Sequence, residues 1–234
     1  MRSGRLANCP VRWRASQDDN LTPARRGCSA SRASKPSEQG LESGIHMTSA
    51  EIQSHYEATF GPSSGEKSFD SDGAEITVVR LPAPGADLSH HLYATVGGSR
   101  YPLPGAPDGH RLEFYAELVP DVSNIGRVLA VLAMYPIREG LALGDSHTVD
   151  IQRPVSALSL MHQVLLFRPS NEFLSPLVSK VSGIHVDFLQ VVPVYESEVS
   201  FKQRHGLRAL FKLWESAKVE FWNPGRPLPA IPMN

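Results

Sequence analysis

Between residues 47 and 222 the apolar positions follow two rhythms, one of period two and one of period three to four, while both ends of the chain follow neither. Thr48 and Ser49 precede Ile52, Tyr56, Ala58 and Phe60, a spacing that predicts an opening helix. Residues 75–81 and 90–96 are rich in β-branched and aromatic side chains and predict two strands, with residues 82–87 as the turn between them. Residues 112–119 alternate: Leu112, Phe114, Ala116 and Leu118 on one face, Glu113, Tyr115, Glu117 and Val119 on the other. That alternation predicts a half-buried strand with a solvated, or interface-forming, acidic side. Asp121 or Ser123 is placed to cap a helix whose Ile125, Val128, Leu129 and Leu132 share a stripe, with Pro136 as its stop.

In the second half, residues 140–145 predict a loop, and short apolar runs around Val149 and over 164–167 predict strands. Residues 184–192 are almost continuously apolar, which predicts a central strand covered on both faces and closed by Pro193. Residues 196–205 open with Glu196 and Glu198 and finish with Lys202, Arg204 and His205, so their charges complement a helix dipole, and Gly206 supplies the stop. Leu207, Leu210, Phe211, Trp214 and Ala217 form the apolar stripe of a last helix that packs on the sheet. Strands and helices mix without regular alternation. The fold class expected is α+β, a mixed sheet with helices packed against it.

Three segments follow from composition. Residues 1–46 carry eight Lys and Arg against four Asp and Glu, with little apolar content, and predict a disordered basic leader. Residues 47–222 form the domain, and residues 223–234, with Pro224, Pro227, Pro229 and Pro232, predict an extended tail, with an SH3-like or WW-like reader as the alternative use. Met47 at the boundary suggests the true start, with the leader a mis-assigned extension. Beyond residue 46 fifteen bases face twenty acids, so the body is mildly acidic and nucleic acid is excluded as the expected partner. Cys9 and Cys28 both lie in the leader, leaving the body without a thiol and pointing to a cytoplasmic protein. No apolar run approaches the roughly 20 residues of a membrane span, so no membrane partner is expected.

Enzymatic chemistry finds little footing. His90 and His91 are adjacent near Asp87, but neighbouring strand residues point to opposite faces, and no HExxH or cysteine spacing exists, so no metal or other cofactor is expected. Gly144-Asp145-Ser146 matches the start of a GDS-type hydrolase block, and Asp87-Leu-Ser-His90 its Asp-x-x-His, but in the reversed order. GxSxG, GxGxxG and P-loop patterns are missing. Glu113 and Glu117 stand about 13 Å apart along a strand, too far for an acid and base pair. Glu196 and Glu198 splay around a helix start, where capping explains them. No catalytic residue is assigned, and a cryptic hydrolase is kept only as an outside reading. Tyr195 and Trp222 remain candidates either for core packing or for interface anchors.

Several blocks, taken in order, resemble one family. His91-Leu-Tyr-Ala-Thr-Val-Gly-Gly-Ser99, Tyr101-Pro-Leu and Arg111-Leu-Glu-Phe-Tyr-Ala-Glu-Leu-Val-Pro120 are similar to the first half of the Suppressor-of-fused domain. Phe188-Leu-Gln-Val-Val-Pro-Val-Tyr-Glu-Ser-Glu198, Phe201, His205-Gly206, Leu207, Leu210 and Leu213 are similar to its second half. The resemblance spans residues 48–219. It implies a protein-binding domain rather than an enzyme, and the single-domain bacterial relatives imply an immunity protein that neutralises a toxin encoded nearby. An unspecified interaction or regulatory module is the alternative. No individual binding residue follows from it.

Overall fold

The computed structural model describes residues 15–16, 47–71, 73–82, 90–119, 122, 124–157, 159–170, 173–179 and 182–231. The leader, the 83–87 part of the expected turn and the two expected caps, Asp121 and Ser123, lie outside these residues, save for the backbone of Ala15–Ser16. Thr48 opens α1 (Ser49–Phe60) with a reciprocal cap: Glu51 N donates to Thr48 Oγ1 at 3.2 Å and Thr48 N donates to Glu51 Oε2 at 2.7 Å.

Strands β1 (Ala15–Ser16), β2 (Gly65–Ser71), β3 (Ala74–Pro82), β4 (His91–Val96), β5 (His110–Leu118), β6 (Thr148–Asp150), β7 (Gln163–Phe167), β8 (Leu177–Val178) and β9 (His185–Val194) form one mixed sheet. Its order is β1-β6-β7-β9-β5-β4-β3-β2, with β8 alongside the start of β9. The parallel pair β5 and β9 lies at the centre, and every other pairing is antiparallel. Between β5 and β9 the chain passes through α2 (Ile125–Glu139), which covers one face by packing Ile125, Leu129 and Leu132 against Ile76, Phe114 and Leu166. The opposite face is shared. Ile52 and Tyr56 of α1 cover Leu81, Leu92 and Phe188, while Leu210 and Trp214 cover Leu165, Val192 and Val194. Leu210 and Trp214 come from α4 (Leu207–Ser216), which follows α3 (Glu196–His205) across Gly206. The fold is therefore α+β, a mixed sheet with helices on both faces.

Three local expectations change. Pro136 does not stop α2: the helix runs one turn further, where Gly140, at φ 65°, donates its N–H to Pro136 O at 3.1 Å. Pro193 does not close β9 but pairs with Val164 inside it; the register with β5 ends at Gln190, so Pro193 sits where β9 has one strand neighbour left. Strand β5 is not half-buried. Its second face is covered as well, with Glu113 and Tyr115 both fully buried.

Residues 223–231 run without helix or strand, and Arg226, 2% exposed, is carried into the protein against α3 and α4. The expected boundary at 222 thus falls short of a buried residue.

Candidate functional site

Two buried glutamates could pass for reactive groups, and both turn out to be occupied by the fold. Glu113 accepts hydrogen bonds from Thr95 Oγ1 (2.5 Å) and from the backbone N–H groups of Gly97 (3.0 Å), Gly98 (3.2 Å) and Ser99 (2.9 Å). Those three N–H groups converge because the chain after β4 turns through Gly97, at φ 122°, into a short 3-10 turn, Gly98–Arg100. A Cβ on Gly98 would stand 2.8 Å from Leu112 O, so only glycine lets the turn close on the carboxylate. Burial pushes the Glu113 carboxyl above its ordinary range, against the opposing pull of these donors. This corrects the expected solvated face. Glu117, half-buried, is likewise raised by burial and held back by His90.

Glu198 is fully buried too. It caps α3 by accepting from Tyr195 N (2.8 Å), as expected, and also accepts from Trp214 Nε1 (2.7 Å) and Arg226 Nη2 (2.7 Å). The Arg226 guanidinium lies over the rings of Tyr195 and Trp214, and the Tyr195 hydroxyl donates to Arg226 O. Tyr195 is therefore a clamp on the C-terminal segment. Glu196, by contrast, is exposed at the start of α3. Trp222 packs edge-on to His90 and Phe221, and its carbonyl accepts from Val119 N at 3.1 Å.

The hydrolase-like residues do not come together. Ser146 precedes β6 and His90 precedes β4, strands separated in the sheet by β7, β9 and β5; Asp87 lies outside the described residues. Ser146 Oγ donates to its neighbour Asp145 at 3.4 Å. His91 faces Tyr93 edge-on, and no group of three or more His, Cys, Asp or Glu among the described residues is placed to hold a metal ion. No helix among them is long and apolar enough to cross a membrane.

Among the described residues, a groove of about 900 Å³ lies between α2 and the β2 edge of the sheet. Its floor follows from register. Lys67 pairs with Val78, Phe69 with Ile76 and Arg80 with Tyr93, so these side chains share the α2 face, while Glu66 and Asp70 alternate to the other. The far wall is the α2 stripe Arg127, Val131, Met134 and Arg138, spaced four, three and four. Gly126 sets the closeness of the walls: a Cβ there would stand 3.1 Å from Phe69 Cζ. Lys67 Nζ rests 5.3 Å from the Phe69 ring centroid, and Arg80 Nε donates to Ser64 Oγ at 3.1 Å. Sequence reading missed this groove because β2 has no apolar alternation. The four-three-four stripe on α2 was its one legible sign.

A family model, that of the suppressor of fused protein, matches residues 72–227. Among solved structures, a suppressor-of-fused homologue from Neisseria gonorrhoeae is 17% identical, with a TM-score of 0.60, over 78% of this chain and 96% of that one. A chain of the Sufu–Fu complex is 14% identical, with a TM-score of 0.56, over 76% of this chain and 90% of that one. No curated protein matches the sequence. The ordered blocks in the sequence, the mixed sheet and the match across two thirds of the length agree: the chain belongs to the suppressor-of-fused family.

Proposed function

We propose that this chain is a protein-binding domain and that its partner is a toxin which it neutralises by direct contact. Membership of the suppressor-of-fused family carries the binding half of the reading, because a similar chain was solved in the complex of Sufu with Fu. The toxin half draws on the acidic excess of residues 47–234, which steers a basic partner towards the domain. Both buried glutamates are consumed by internal bonds, which is what a rigid binding scaffold needs and a catalyst does not.

The full chain, tagged at its amino terminus so that Arg226 stays seated, is the bait for co-purification from the native host. Recovery of one protein encoded beside it, together with rescue of cells expressing that protein, establishes the reading. A recovered partner without toxicity leaves a regulatory binding module. Absence of any partner, with the bait folded and the neighbouring product expressed, overturns the binding role.

A further inference from the structure

We propose that the outer edge of β2 and the groove beside it take up an extended, acidic segment of a partner protein. The proposal rests on the protein-binding reading above, and not on the partner being a toxin.

Strand β2 ends the sheet: among the described residues its one strand neighbour is β3, so its outer backbone N–H and C=O groups present a seven-residue row for another strand. No proline interrupts that row. A segment added there turns alternate side chains towards the α2 face, beside Lys67 and Phe69.

Charge decides what those side chains are. Lys67 and Arg80 from the sheet and Arg127 and Arg138 from α2 all are exposed and line the groove, while Glu66 and Asp70, the carboxylates along it among the described residues, alternate to the opposite face. Four cations thus gather on one face of a body in which acids outnumber bases twenty to fifteen. The groove's charge runs against that average, so composition alone does not produce it. Between the cations lie Phe69, Val78, Tyr93 and Val131, an apolar floor that suits alternating acidic and apolar side chains. A nucleic-acid strand meets the same cations, and what distinguishes a peptide is the row of outer β2 backbone groups, which a strand of polypeptide can pair and a phosphate backbone cannot. The groove therefore selects an acidic stretch even where the rest of the domain favours a basic partner.

The test titrates a short peptide alternating Glu and Val into the isotope-labelled full chain and follows backbone NMR shifts. Its controls are a peptide alternating Lys and Val and a single-stranded DNA of similar length. The expected result is shifts confined to Gly65–Ser71 and Ile125–Glu139, affinity that falls with salt, and about tenfold weakening in Lys67→Glu and Arg127→Glu with unchanged thermal unfolding. No binding by the Glu peptide, shifts elsewhere, equal binding of the Lys peptide or tighter binding of the DNA would each overturn it. Repeating the co-purification with the charge-reversed chain separates the two proposals. A partner retained undiminished sinks the groove and leaves the binding reading intact, whereas a wild-type bait that recovers nothing removes the binding reading itself.

Discussion

Glu198 and Glu113 are both fully buried carboxylates, yet the fold compensates them in opposite ways. Glu198 faces a cation, Arg226, drawn in from the C-terminal segment, with Trp214 and Tyr195 adding donors. Glu113 has donors alone, three from one backbone turn and one from Thr95, all within eighteen residues of it. The first arrangement ties distant parts of the chain together and leaves a charge behind when either partner goes. The second is local, and its weakness is the carboxylate's own desolvation, which raises its pKa.

Breaking the ion pair on one side has the largest expected effect. Arg226→Ala leaves Glu198 charged and buried without a cation and strips cover from Tyr195 and Trp214, for a loss of about 3–5 kcal/mol. Urea unfolding followed by tryptophan fluorescence measures it; a loss below about 1 kcal/mol would mean that the C-terminal segment is not seated as described.

Glu113→Gln comes next, at about 1–3 kcal/mol, because the amide nitrogen meets a backbone N–H where the carboxylate oxygen accepted one. The pH dependence sharpens the contrast. A folded pKa raised above the unfolded value of about 4.3 means that the native state holds this proton more tightly. The wild type's advantage at this site is full below that unfolded value and declines as pH rises through the folded one. The penalty of Glu113→Gln is therefore largest in acid and shrinks towards neutrality. A penalty that grows with pH would show that the four donors outweigh burial.

The sequence made much of the fold legible where a rhythm reports burial: the alternation of β5, the continuous apolar run of β9 and the stripes of α2 and α4. It failed where the reason for a residue lies elsewhere in the chain. Glu113 read as solvated because nothing in residues 112–119 shows that the Gly97 turn closes over it. Strand β2 stayed hidden because an exposed edge carries no hydrophobic signature. Arg226 sits in a segment that its prolines mark as an extended tail, and nothing in residues 223–234 shows that Glu198 waits for it. Of the groove, the α2 stripe was legible alone; its cationic character needed the register of β2 on β3.

The smallest expected effect is the most telling. Replacing both partners at once, Glu198→Leu with Arg226→Met, removes an ion pair that is itself incompletely satisfied: Arg226 Nε and Nη1 are buried and find no hydrogen-bond partner among the described residues. Desolvating two charges costs several kcal/mol per ion, and attraction offsets this only when the remaining polar atoms are bonded. The apolar pair also keeps packing against Tyr195 and Trp214, while the helix start loses the cap from Glu198 to Tyr195 N, worth about 1 kcal/mol, and the buried Trp214 Nε1 loses its acceptor, at about 1–3 kcal/mol. These opposing changes leave the double variant within about 1 kcal/mol of the wild type, far better than Arg226→Ala alone. A double variant as damaged as the single one would show that Glu198 is needed for its bonds to Tyr195 N and Trp214 and not for its charge, which would make it the same kind of residue as Glu113.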